Sequence, residues 1–137
     1  ASDNPAYSLP NLSNLGRIDM NDTHLAIGCY PGGTSFKVLA LSMLSSPSYQ
    51  TVPGQDCPSE VSFNDKGFFI PGDDKIIGWN SVADALAGSS PTMSFGGKTD
   101  KTNIGTKMAA GIGWDGYHFW VGEYKFSNRL LGFAPSK

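Results

Sequence analysis

Cysteine is scarce. Of 137 residues only Cys29 and Cys57 carry sulfhydryl chemistry, too few for a four-ligand zinc site of their own, and no Cys-x-x-Cys redox spacing occurs. Charge is scarce too: Asp, Glu, Lys and Arg make up 16% of the chain, the net charge is -2 and no basic run exists. That excludes the clustered Lys and Arg from which nucleic-acid binders draw their affinity. No apolar stretch approaches the ~20 residues of a membrane-spanning helix, so no membrane span is expected. Ala, Leu, Glu and Lys are too thinly spread for a helical bundle. Gly-x-Ser-x-Gly, His-Glu-x-x-His and a phosphate-cradling Gly-rich loop are all missing, which leaves no signature of a serine hydrolase, a zinc protease or a nucleotide enzyme.

What the chain has in quantity is turn-forming residues, with 17 Gly and 9 Pro, beside 39% hydrophobic residues that suffice for one core. The length is near the commonest size of a single domain, and this composition favours an all-β chain. The two cysteines suit one disulfide. Low charge and the Asn-x-Ser/Thr patterns at Asn11 and Asn21 fit an exported, extracellular protein, as does a disulfide. The chain opens at Ala1, which fits a mature form released from a leader or a trimmed chain.

Three segments repeat one pattern: RIDMNDTHLAIGC from residue 17, EVSFNDKGFFIPG from residue 60 and GIGWDGYHFWVGE from residue 111. Each reads as a strand, an Asn-Asp or Asp-Gly turn of two residues with positive φ, and a second strand. In the first strands Ile18 and Met20, Val61 and Phe63, and Ile112 and Trp114 alternate with smaller or polar residues, the period of a half-buried strand. The second strands, at 25–27, 68–70 and 119–121, are apolar throughout, which predicts cover on both faces. The three tryptophans, Trp79, Trp114 and Trp120, sit inside strands and are expected in the core. A third strand is predicted at 36–41, 75–79 and 129–133, and a fourth only at 49–52 and 91–95. The units recur at roughly 40 to 50 residues, the length of a four-stranded propeller blade.

The third unit, GIGWDGYHFWVGEYKFSNRLLGF, resembles an NHL repeat through Gly111, Ile112, Asp115, Gly116, Trp120, Val121, Glu123, Asn128 and Arg129. The stretch DKIIGWNSVADALAGSSPTMSFGG, residues 74–97, is similar to a connection found in bacterial NHL-type propellers. The first unit departs from the pattern, with Phe36 and Lys37 where Asn and Arg stand in the family. The resemblance implies a β-propeller with blades at about 15–53, 54–96 and 97–137, and no single activity. Three blades are too few to close a ring, so a homodimer sharing six blades is expected, or a larger ring finished by a different polypeptide. The leader, residues 1–14, is expected to supply the outer strand missing from the last blade of a second chain through residues 4–12, where Pro5 and Pro10 suit an edge strand.

In that arrangement Cys29 and Cys57 share one loop-bearing end, where a disulfide closing about 28 residues is worth roughly 3 kcal/mol. His24 and His118 follow equivalent turns at the other end, where a structural or solvated role is expected. Arg17, Asp19, Glu60 and Ser62 alternate with core residues, where the third unit has Gly111 and Gly113; a buried charge must be paired, so Arg17 is expected against Glu60 or Asp19, or lining a channel for a polar ligand or hydrated cation. Asp56, Asp73 and Glu123, with Tyr30, Tyr124 and Lys107, surround the expected mouth of the channel, where oxygen ligands would suit calcium, although no contiguous Asp-x-Asp loop is present. The function expected is a non-catalytic binding or scaffold module presenting loops to a protein, glycan or surface. Two alternatives are a metal-dependent lyase or lactonase on the same fold, and a structural protein that assembles by strand exchange.

Overall fold

Each repeated unit turns back on itself around a short polar side chain. Asn21 Oδ1 accepts from the N–H groups of Thr23 and His24 at 2.9 and 2.7 Å, Asn64 Oδ1 from Lys66 N–H at 2.8 Å, and Asp115 Oδ1 from Tyr117 and His118 N–H, both at 2.7 Å. These Asx turns connect β1 (Leu15–Met20) to β2 (His24–Cys29), β5 (Ser62–Asn64) to β6 (Gly67–Pro71), and β9 (Ala109–Trp114) to β10 (Phe119–Glu123). Positive φ inside the two-residue turn was expected throughout, yet only Gly116 adopts it there (φ 100°). At Asp22 and Asp65 the accepting oxygen of the preceding Asn closes the turn without left-handed backbone.

The computed structural model describes residues 4–29, 35–72, 75–96, 109–123 and 130–134. Third strands β3 (Lys37–Ala40), β7 (Ile76–Trp79) and β11 (Leu130–Phe133) and fourth strands β4 (Gln50–Thr51) and β8 (Met93–Phe95) extend the hairpins. The result is mostly β. Three antiparallel sheets, ordered β1-β2-β3-β4, β5-β6-β7-β8 and β9-β10-β11, run up and down, and none closes on itself.

A short helix, α1 (Val82–Leu86), interrupts the β7–β8 connection. Its start is written in the sequence: Ser81 Oγ accepts from Asp84 N–H at 3.2 Å, the Ser-x-x-acid cap, while Val82 and Ala85 are buried.

The sheets stack through alternate faces. Ala26 and Val38 of the first sheet meet Val61, Phe68, Ile70 and Trp79 of the second in one cluster. On its other face the second sheet sets Phe69 and Ile76 against Phe119 and Val121 of the third. The middle strand β6 is therefore buried on both faces, as its unbroken apolar run predicts. Strand β10 is not: Phe119 and Val121 are buried but Trp120 is 37% exposed, because the third sheet has a neighbour on one side only among the described residues. Trp120 is thus no core residue, unlike Trp79, which is buried and donates from Nε1 to Ser89 O at 2.8 Å.

Candidate functional site

Strand β1 lies beside β5, and β5 beside β9, so the three first strands are neighbours in chain order. Their polar positions face one another across the first junction. Asp19 Oδ2 accepts from Phe63 N–H at 2.8 Å, joining the first two sheets by a side chain to backbone bond, and Asp19 Oδ1 accepts from Met20 N–H at 2.9 Å. Arg17 Nε stands 3.9 Å from Glu60 Oε2. The pair is unequal: the Arg17 side chain is 71% exposed and that of Glu60 only 11%. Burial pushes the Glu60 carboxyl above its ordinary value, an effect opposed by Val61 N–H, which donates to Oε1 at 3.3 Å, and by Arg17. Ser62, the next outward position on β5, is buried.

At one end of the sheets the Cys29–Cys57 disulfide is formed, tying the end of β2 to the connection that leads into β5. The same connection is held by Cys29 N–H, which donates to Pro58 O at 2.7 Å. A small cavity of about 180 Å³ beside it is lined by Leu12, Leu15, Ile27, Cys29 and Lys37. It lies under the leader, residues 4–14, which forms no strand and crosses the first sheet. Lys37 Nζ donates to Asn11 O at 2.8 Å and Tyr49 Oη to Pro10 O at 2.6 Å, fastening it there.

At the opposite end a groove of about 490 Å³ separates the β1–β2 and β5–β6 turns from the start of α1. Met20, His24, Phe63, Asn64 and Ser81 line it, and Asn64 Nδ2 has no hydrogen-bond partner among the described residues. Sequence reasoning missed this groove because α1, which forms one wall, was not expected; the Ser81–Asp84 cap was the signal that marks it. His24 Nδ1 is 2.7 Å from Thr23 Oγ1 and His118 Nδ1 is 3.5 Å from Asp115 Oδ2, so both histidines have partners within their own turns. The Trp120 indole and the backbone of the turn hold the Asp115 carboxyl well below its ordinary range.

Of the residues expected at the channel mouth, two fall among the described residues. Asp56 is exposed next to Cys57, and Glu123 ends β10. Tyr30, Asp73, Lys107 and Tyr124 lie outside the described residues, as do Asn128 and Arg129 of the NHL-like segment. Among the described residues no group of three or more His, Cys, Asp or Glu comes together to hold a metal, and no helix is long and apolar enough to cross a membrane. No family model and no curated protein matches the sequence.

Proposed function

We propose that the chain is a non-catalytic binding module, three NHL-like propeller blades forming half of a six-bladed ring that a second copy completes, with its loops presented to a protein, glycan or surface. The observation that carries this reading is the repeated stacking. First strands β1, β5 and β9 follow one another as neighbours, and each sheet lays one face on the back of the sheet before it, as blades do around an axis. Arg17 supports a binding role, since its guanidinium is mostly exposed and only loosely engaged by Glu60, which leaves donors free for an acidic or hydroxyl-rich ligand. The disulfide supports an oxidising, extracellular setting.

Probing immobilised full-length chain with glycan and protein arrays tests the reading. Saturable binding in one ligand class is expected, weakened by Arg17→Ala. Absence of binding across both arrays overturns it.

A further inference from the structure

The three sheets are built alike, so each has a front, facing the sheet before it, and a back, facing the sheet after it. Phe63 and Phe68 mark the front of the second sheet and Phe69 its back. Among the described residues the first sheet has no sheet before it and the third none after it, which leaves one front and one back without a sheet against them. Ile18 and Met20 stand opposite Ile27 and Leu25 on that free front, on the other face from Asp19 and Ala26. Trp120 and Leu130 stand on the free back, because Phe119, Val121 and Leu131 face the second sheet.

These exposed residues match buried ones position by position. Ile18 is 61% exposed where its equivalent Val61 is 2%; Leu130 is 68% exposed where its equivalent Ile76 is 0%. Trp120 pairs with Gly132 as Phe69 pairs with Gly78, and in both sheets the ring lies against the glycine. In the second sheet that ring is then covered by Phe119 of the third, with centroids 4.6 Å apart. Over Trp120 the corresponding cover is absent among the described residues.

The shape is complementary as well. Where the first two sheets carry Asp19 and Ser62 on their backs, the third carries Gly113, with Gly111 two residues before it, and among the described residues a Cβ added at either meets nothing within 4 Å. Open space therefore lies over the inner strand of the free back, while Ile18 and Met20 project from the inner strand of the free front. The leader covers the part of that front around Ile27 and Lys37 and leaves Ile18 and Met20 exposed.

We infer that the space over Gly111 and Gly113 receives Ile18 and Met20 of a second copy of this chain, with Trp120 and Leu130 beside that contact. The inference rests on the proposed ring and specifies its junction. Two copies present two such junctions, each a front on a back, so the pair closes with nothing left over.

Light scattering of the full-length chain, its Gly113→Arg and Ile18→Asp variants, and Gly113→Ala as control tests it. The wild type and Gly113→Ala are expected at about twice 14.6 kDa. Gly113→Arg and Ile18→Asp are expected to weaken association about a hundredfold or more, since each sets an unpaired charge in an apolar junction. Both positions are open in the single chain among the described residues, so the circular dichroism spectrum of each variant should stay that of a folded chain. A wild type that stays at 14.6 kDa overturns the inference together with the ring. A dimer indifferent to both charged variants overturns this junction and leaves the ring standing on other contacts. A mass that keeps growing with concentration overturns the closed pair.

Discussion

Gly78 and Gly113 both lack a side chain, for opposite reasons. A Cβ at Gly78 would sit 2.4 and 2.5 Å from two carbons of the Phe69 ring, which Phe95 and Phe119 hold in place; at Gly113 it would meet nothing among the described residues. Gly78→Ala is therefore expected to cost about 1–3 kcal/mol in urea unfolding, whereas Gly113→Ala should be neutral or raise stability by about 0.5–1 kcal/mol through the entropy of the unfolded chain. Equal losses at the two positions would contradict this account. Glu60 makes a second test. Its carboxyl is raised in the folded protein by burial, so the native state holds a proton there more tightly than the unfolded chain does. The stability it contributes is full below the unfolded pKa of roughly 4.3 and is lost as pH rises through the folded value. Glu60→Gln should accordingly gain stability relative to wild type between about pH 4 and about pH 7, read from urea midpoints. A variant that falls further behind at neutral pH would mean that Arg17, and not burial, governs the site.

Among the elements, the β2 strand and the connection into β5 are the most heavily tied. The disulfide encloses a sequence separation of 28 residues, and Cys29 N–H to Pro58 O runs parallel to it. Replacing both cysteines with serine is expected to lower stability by roughly 3 kcal/mol, the loop-closure entropy regained by the unfolded chain, with the sheet contacts of Ala26 and Val38 still driving folding. Urea unfolding of the double variant measures it, and an unchanged midpoint would show that Pro58 and its neighbours already fix the connection. The hairpins depend on single side chains in the same way. Each has its Asx oxygen at the same register position, so the repeat is a repeat of turn chemistry as much as of apolar pattern.

At the scale of the molecule, the proposed ring makes the leader a point of test. Residues 4–14 lie against the first sheet through Asn11 O and Pro10 O, with their own backbone in no sheet, and β11 is an edge strand of a three-stranded sheet. An edge with bare N–H and C=O groups beside apolar surface invites a further strand. Deleting residues 1–12 is expected to convert a particle of about twice 14.6 kDa into a monomer somewhat lighter than 14.6 kDa by light scattering. A truncated chain that still associates normally would remove the leader from the junction and leave the contact of Ile18 and Met20 to hold it.

The alternation of Ile18 with Met20 and of Val61 with Phe63, and the unbroken runs at 68–70 and 119–121, were enough to place the strands, since a two-residue period and a buried run are local properties. The pairing of Cys29 with Cys57 followed because the chain offers no other thiol. Ser81 and Asp84 also spelled the start of α1, although five residues of helix between strands are too short for periodicity to reveal. Other features depended on neighbours that sequence does not name. Trp120 and Phe69 hold the same register position, yet only Phe69 is buried, because a third sheet covers it and nothing described covers Trp120. Glu60 and Arg17 read alike as charges in a core strand, but packing buried one and left the other in water. Sequence by itself determined strands, turns and the disulfide, which are set by each residue and its near neighbours; only the tertiary structure decided which faces are covered, because burial depends on what distant segments bring against them.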